Sequence, residues 1–320
     1  MAANSRLVAE LQEAVALARQ GRAAEAAARL ERVALDPEAG SLGPLTAIGL
    51  PRKLHSAWLR LAKAAGDPAR IAGLQATAVP PEALLADLFA PDAARRQEQV
   101  AAATAPVPKL LHQVWVGGPP PEVCALWAEY AARHGWAYRL WDAAALDAAG
   151  ITDDPLWRSM LDRGDLPGAV DVARYHILRA EGGLYLDCDW YPARADLPPQ
   201  AFLPPQGLSV LAEGMPRLVA GGSFLLSNAL VAAPSGHPAL SHLLTVLPAV
   251  AERLAAAPAW WSTGPLTFTL ALRGGPVTVL DNGLVAGHLP RGAPIAEARE
   301  MAHALADRGA PGFVIAWKGW

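Results

Sequence analysis

The residues best suited to chemistry lie in residues 169–191, AVDVARYHILRAEGGLYLDCDWY. In an extended segment alternate side chains share a face, so Asp187 and Asp189 point the same way while Cys188 points opposite. Two adjacent carboxylates repel, and Asp suits a strand interior poorly, so without a cation or donors the pair frays that end. A divalent metal that also takes phosphate oxygens resolves the conflict, because Mg²⁺ and similar hard cations use one or two carboxylates plus substrate phosphates. Asp171 and Arg174, three residues apart, share a face of the preceding helix. The Arg suits an anionic ligand and the Asp suits hydroxyls. On spacing alone, a solvated strand end or turn accounts for most Asp-x-Asp triplets, and an ordinary helix-surface ion pair is the favoured reading of Asp171 and Arg174.

The elements that must position these residues are readable on both sides. Residues 109–116 (KLLHQVWV) predict a strand, 117–121 (GGPPP) a loop, 122–134 a helix and 136–141 a second strand. Residues 168–180 predict a helix stopped by Gly182 and Gly183, and 184–188 the strand that follows at once. Strand, helix, strand, helix, strand argues for an α/β domain with a largely parallel sheet. Ligands of such sheets sit beyond the carboxyl ends of the strands, where the Asp pair falls. Further along, 208–212 and 277–280 predict strands, and 239–257 a helix despite Pro248.

Upstream, residues 5–103 are rich in Ala, Leu, Arg and Glu and read as all-helical, with Ser5 as N-cap and Gly21 as a helix stop. Leu7, Leu11, Val15 and Ala18 fall on one face, and Ala26, Leu30 and Val33 on that of the next helix. The pattern resembles a tetratricopeptide helix pair. Without a second copy at the 34-residue period it predicts a helical cap or docking module rather than a repeat array. The uncharged, proline-punctuated segment 101–108 (AAATAPVP) marks the boundary between a helical module, 1–104, and the α/β domain, 105–320.

A chain of 320 residues with 52% hydrophobic and 18% charged residues can bury a sizeable core, which excludes long-range disorder as the main state. A net charge of −3 gives no broad basic field, so nucleic acid is not an expected partner. Cys124 and Cys188 are too few for a disulfide framework and have no zinc-ligand spacing, which fits a reducing, cytoplasmic compartment. Arg6 and Glu10 interrupt any secretory signal. Residues 218–251 lack Asp, Glu, Lys and Arg, but Gly221, Gly222, Asn228, Pro234, Pro238 and Pro248 break them up, so no transmembrane segment is expected and the stretch reads as buried core.

Taken together, PKLLHQVWVGG, then YRLWD, then AVDVARYHILRAEGGLYLDCDW resembles glycosyltransferase family 32, the Asp-x-Asp sugar transferases that include yeast mannosyltransferases. It also looks like the catalytic domain of the large clostridial glucosylating toxins. The matching residues are Asp171, Arg174, Tyr175, Gly182, Gly183, Tyr185, Asp187 and Asp189, and the resemblance covers about residues 107–290. It implies a GT-A type, Rossmann-like α/β domain that binds a nucleoside diphosphate sugar with Mn²⁺ or Mg²⁺. By the same resemblance Asp189 ligates the metal directly, and Asp187 contacts the ribose or sugar and supports the metal. Asp171 and Arg174 bind sugar hydroxyls and phosphate, Tyr185 lines the donor pocket, and Val114 and Trp115 meet the nucleoside base. Asn228, in LSNALVAAPSGHPAL, is implied to contact the sugar or leaving phosphate. WSTGPLTFT carries the family's Thr-Gly-Pro, here Thr263, Gly264 and Pro265, which the resemblance implies is a helix-starting turn near the acceptor cleft.

The chain departs from the family at its end. Members commonly finish with a His and a Ser-Trp pair reaching back over the diphosphate, whereas this chain has His303 in EMAHAL and Trp317 in IAWKGW, with no Ser before the Trp. His303 is a candidate metal ligand or phosphate contact, and a solvated helix His fits equally. Trp260 and Trp261 are acceptor-side candidates, because Trp faces suit sugar rings as well as cores. Core packing is expected for Trp58, Trp127 and Trp157, and a structural role for His112 inside the first strand.

The resulting expectation is a metal-dependent glycosyltransferase moving a sugar from a UDP- or GDP-sugar to a glycan, lipid-linked or protein hydroxyl acceptor, by family precedent with retention of configuration. Its implied setting is polysaccharide biosynthesis, in the cytoplasm or against the inner face of a membrane, with the N-terminal helices docking a protein partner. Two alternatives stay open: a nucleotide-sugar hydrolase or nucleotidyltransferase on the same core, and a non-catalytic sugar- or metal-binding protein.

Overall fold

The computed structural model describes residues 2–219, 222–309 and 312–319; Gly221, one of the expected chain breaks, lies outside them. The chain forms two compact units. The first gathers Met1–Ala90, Gly214–Leu225 and Ala249–Ser262, and the second gathers Pro91–Glu213, Leu226–Pro248 and Thr263–Trp320. The first unit's opening stretch ends at Ala90, and two later stretches belong to the same unit.

The first unit opens with α1 (Ala2–Arg19), α2 (Ala23–Ala34), α3 (Arg52–Ala65) and α4 (Pro68–Ala76). Gly21, at φ +79, makes the α1–α2 turn. The expected stripes meet: Leu7, Leu11, Val15 and Ala18 pack with Ala26, Leu30 and Val33, and Leu54, Trp58 and Leu61 of α3 close the cluster. Ser5 lies inside α1 rather than capping it, because the helix already starts at Ala2.

In the second unit α5 (Ala93–Ala102) is capped by the Asp92 carboxylate. The chain then alternates through β1 (Leu110–Val114), α6 (Glu122–Arg133) and β2 (Ala137–Trp141). Two short helices, α7 (Ala143–Ala148) and α8 (Pro155–Asp162), precede α9 (Leu166–Glu181) and β3 (Gly183–Leu186). There follow β4 (Trp190–Pro192), β5 (Ser209–Ala212), β6 (Leu226–Ala233) and α10 (Pro238–Arg253). After α11 (Ala259–Ser262), which belongs to the first unit, come α12 (Pro265–Leu272), β7 (Thr278–Leu280), β8 (Val285–His288), α13 (Ile295–Asp307) and β9 (Val314–Ala316).

Six strands form a mixed sheet in the order β2-β1-β3-β6-β5-β7. β1 runs parallel to β2 and β3, and β5 to β7, while β6 runs antiparallel to both its neighbours. β6 interrupts the parallel arrangement expected from the alternation of strands and helices. Leu111, Leu184, Leu186 and Leu230 pack in one core with Val123, Trp127 and Tyr130 of α6 and with Phe313. A second sheet, β4-β9-β8, joins the chain just after the Asp pair to its C-terminal segment. Trp58, Trp127 and Trp157 are core residues as expected. Among the described residues no helix is long and apolar enough to cross a membrane.

Candidate active site

Two glycines and a histidine set the geometry from which the site grows. Gly182 (φ +65) and Gly183 (φ +97) turn α9 into β3, and a Cβ on Gly183 would run into the Leu110 carbonyl oxygen and the His112 ring. His112 is fully buried in β1. Its Nδ1 accepts from Trp141 Nε1 at 3.0 Å, so the proton sits on Nε2, which faces the Gly182 carbonyl oxygen at 2.9 Å. Burial pushes its pKa down to about 4, so the ring stays neutral. The structural role expected of His112 is therefore to pin the turn that aims β3.

β3 ends at Leu186, one residue before the Asp pair, which corrects the expected strand 184–188. Asp187 still donates its N–H to the Ala229 carbonyl of β6 at 3.0 Å, and the chain then turns through Cys188 and Asp189 into β4. The two carboxylates accordingly sit on a turn between two sheets rather than on one strand face.

Behind Asp187 lies a buried polar cluster. Arg174 Nη2 stands 2.9 Å from Asp187 Oδ1 and 3.2 Å from Asp171 Oδ1, and Nη1 donates to the Asn228 carbonyl at 2.6 Å. The guanidinium lies over the Tyr185 ring, 4.6 Å from its centroid, and Tyr185 donates its hydroxyl to Asp187 Oδ1 at 2.8 Å. Asp171 accepts from Asn228 Nδ2 at 2.7 Å and from Thr263 Oγ1 at 2.9 Å, and Tyr175 donates to the Thr263 carbonyl at 2.8 Å. Burial opposes the charge on Arg174, but Asp187 and its other partners more than offset this and hold its pKa above the usual value. Burial pushes the Asp171 carboxyl up to about 6, with Arg174 opposing the rise.

Asp171, Arg174, Tyr185 and Asn228, the residues implied to bind the donor, are each no more than about one-twentieth exposed and do not line the cavity beside the Asp pair; Arg174 and Tyr185 engage Asp187 directly, and Asp171 and Asn228 engage Arg174. Thr263 is fully buried and holds Asp171, and Gly264 is the N-cap position of α12. Trp261, an acceptor-side candidate, is fully buried in the first unit and donates to the Ala78 carbonyl at 3.1 Å. Val114 is buried and its carbonyl accepts from Cys188 Sγ at 3.3 Å. Trp115 is half-buried and does not line the cavity.

The cavity measures about 340 Å³. Asp187, Asp189 and Glu213 give it an acidic side, Arg291 and Lys318 a basic one, and Trp190 and Trp317 an aromatic one. Sequence reading passed over Glu213, Arg291 and Lys318, which come from three separate segments. The C-terminal segment does return to the Asp pair. β9 pairs antiparallel with β4, Trp317 N–H donates to the Asp189 carbonyl at 2.8 Å, and Lys318 Nζ lies 3.8 Å from Asp189 Oδ2. Gly292 N–H donates to the Lys318 carbonyl at 2.7 Å, which ties the Arg291 loop to the same strand end.

The acidic side fits a divalent ion. Arg174 and Tyr185 both engage Asp187 Oδ1, leaving Oδ2 for a further ligand. Burial, then the neighbouring Asp187, push the Asp189 carboxyl up to about 6, with Lys318 opposing; a bound cation would relieve that repulsion. Among the described residues no three His, Cys, Asp or Glu side chains form a metal-holding group. His303 is exposed on α13 and does not join the pair. The protein therefore offers two carboxylates and leaves other positions to water and phosphate oxygens, a set that suits Mg²⁺ or Mn²⁺.

Fold and site together define a mixed α/β protein with an Asp-x-Asp turn opening on a cavity that carries both charges. No protein-family model and no curated protein matches the chain, so the family 32 resemblance rests on its motif residues alone. Solved structures do match. The chain is similar to the PaToxG glycosyltransferase, at 15% identity over 72% of this chain and 87% of that one, with a TM-score of 0.42. It is also similar to the UDP-bound glycosyltransferase domain of the YGT toxin, at 12% identity over 85% of this chain and 70% of that one, with a TM-score of 0.28. Neither similarity identifies the reaction of this chain.

Proposed function

We propose that the chain is a glycosyltransferase that moves a sugar from a nucleoside diphosphate sugar to a hydroxyl acceptor, with Mn²⁺ or Mg²⁺ as cofactor. The observation that carries this reading is the division of labour at the Asp pair. Arg174 neutralises Asp187 from inside, while Asp187 and the partly open Asp189 line a cavity that is also lined by Arg291 and Lys318. Such a site is suited to an anion bound together with a cation, as a metal diphosphate is.

In this reading Asp187 and Asp189 hold the ion, and Arg174 and Tyr185 hold Asp187. When bound, the ion supplies electrostatic stabilisation of the charge that develops on the leaving diphosphate. Lys318 and Arg291 add charge-assisted contacts to the phosphates. Trp190 and Trp317 offer aromatic edges to the sugar, and Glu213 an acceptor for its hydroxyls. The acceptor oxygen bonds to the anomeric carbon on the face from which the diphosphate departs, as the bond between that carbon and the phosphate oxygen breaks and the hydroxyl proton passes to the departing diphosphate, which retains configuration.

The test is donor turnover by the full chain across a panel of UDP- and GDP-sugars, with Mn²⁺ or with chelator, beside Asp189→Ala. Metal-dependent release of one nucleoside diphosphate, lost in the variant, is the expected result. Added acceptors then distinguish transfer from simple hydrolysis by the appearance of a glycosylated product. If no donor in the panel is bound or consumed, or if chelator changes nothing, the reading fails.

A further inference from the structure

A second cavity lies in the helical unit, in the groove between α1 and α3. It measures about 220 Å³ and is lined from α1 by Val8, Leu11, Gln12 and Val15 and from α3 by Arg52, Lys53, Ser56, Ala57 and Arg60. The α1 residues stand at spacings of three, four and seven, so one helix face supplies them all. Leu11, Val15 and Ala57 are buried and form an aliphatic floor, while Gln12, Lys53 and Arg60 are exposed and form the rim.

The electrostatics of this groove are one-sided. Helix α3 carries Arg52, Lys53, Arg60 and Lys63 and no Asp or Glu. Arg52 and Arg60 make no ion pair or side-chain hydrogen bond among the described residues, and Lys53 reaches only the neutral Asn4 side chain, at 3.4 Å. The acids of α1 are engaged elsewhere, since Glu10 and Glu13 both pair with Arg29. Arg52 is half-buried, and its desolvation lowers its pKa. A half-buried guanidinium without a carboxylate is costly, and an incoming acid offsets that cost.

The aliphatic floor decides between anionic occupants. A free phosphate or a nucleic-acid backbone needs several donors at the bottom of its site, whereas here the floor is aliphatic, Lys53 and Arg60 stand on the rim and Arg52 is only half-buried. A concave groove of this size takes one or two side chains rather than a membrane surface. We infer that the α1–α3 groove is a docking site for an acidic peptide segment of a partner protein, which seats an aliphatic or aromatic side chain on Leu11, Val15 and Ala57 and sets its carboxylates against Arg52, Lys53 and Arg60. This is recognition of an apolar anchor with charge complementarity at the rim.

The experiment is fluorescence polarisation of the full chain with a panel of fluorescein-labelled twelve-residue peptides. Each carries a central Leu, Ile, Phe or Trp flanked by Glu and Asp, with two controls, one replacing the acids by Lys and one replacing the central residue by Ser. Saturable binding by at least one acidic peptide is expected, weakened at least tenfold in both controls and weakened by salt. Arg60→Glu and Gln12→Glu change exposed rim positions, so circular dichroism should be unaltered while affinity falls at least fivefold in each. The proposal is overturned if no peptide saturates, if the rim variants bind as well as the parent, or if the Ser control binds equally. Complete displacement by inorganic phosphate, or by vesicles of phosphatidylserine at equal charge, would assign the groove to a simple anion or a lipid surface instead. None of these outcomes depends on donor turnover, so this proposal and the transferase reading can fail separately.

Discussion

At the residue scale the site turns on how two neighbouring carboxylates are made different. Asp187 has its Oδ1 committed to Arg174 and Tyr185, whereas Asp189 faces Lys318 and the cavity and holds its proton up to about pH 6, because of burial and the charge of Asp187. A protonated carboxyl cannot ligate a cation, so Mn²⁺ affinity should fall as pH drops below about 6, approaching tenfold per unit. Titration of the full chain with Mn²⁺ between pH 5 and 8, followed by the electron paramagnetic resonance signal of free Mn²⁺, reads this directly. Asp189→Asn should bind weakly and without that bend; a parent curve flat down to pH 5 would remove Asp189 from the proposed metal site. Lys318 is tested separately. Loss of one charge-assisted phosphate contact is worth about 1.5–3 kcal/mol, so Lys318→Ala should weaken UDP or GDP binding roughly tenfold or more in calorimetry while leaving the fold intact. Unchanged affinity would place the diphosphate away from the C-terminal segment.

At the element scale the α9–β3 junction has the least tolerance. Gly183 combines a φ of +97 with the Leu110 carbonyl oxygen where a Cβ would sit, so Gly183→Ala must both strain the backbone and push β3 away from β1. Strain and overpacking together cost about 2–4 kcal/mol, which urea denaturation should read as a lowered midpoint with donor binding lost in proportion to misplacement of Asp187. A stability within about 0.5 kcal/mol of the parent would show that β1 gives way and that the glycine pair does not set the site. These same elements were the legible ones. Strands β1, β2 and β3 and helices α6 and α9 carry apolar patterns bounded by Gly and Pro, and each lies within a few residues of its predicted span. β6 was not legible, because LSNALVAA is apolar on both faces inside a stretch without charges and so shows no alternation. β4, β8 and β9 have three or four residues each, too few for a period, so the return of the C-terminal segment to Asp189 could not be read. Of the site, the Asp pair and its Arg were visible as a motif. Their burial was not, since whether Arg174 faces a ligand or Asn228 depends on the antiparallel placement of β6.

At the scale of the whole molecule, these buried groups leave opposing marks on stability against pH. His112 and His237 are buried neutral, each pushed down to about 4 by desolvation, so below the ordinary value of 6.5 the unfolded chain takes up protons that the folded one refuses. Stability from these two is present above 6.5 and is lost as pH falls through the window towards 4. Asp171 and Asp189 act the other way. Each holds its proton up to about 6 in the folded state against 3.8 in the unfolded chain, so stability from them is present below 3.8 and is lost as pH rises towards 6. Between about pH 4 and 6 two groups of each kind titrate in opposition, and their slopes largely cancel. The unfolding free energy of the second unit, followed by Trp fluorescence in urea with chelator present, should therefore change little across that window. Asp189→Asn removes one of the two acidic contributions and should convert the flat profile into one that rises with pH. The slope should stay below roughly 1.4 kcal/mol per pH unit, because about a third of the Asp189 side chain is open to solvent and its shift is partly screened. A parent profile that already rises steeply would mean that the carboxyls ionise freely in the folded protein. A variant profile that stays flat would mean that Asp189 carries no excess proton there, and the repulsion on which the proposed cation site rests would be absent.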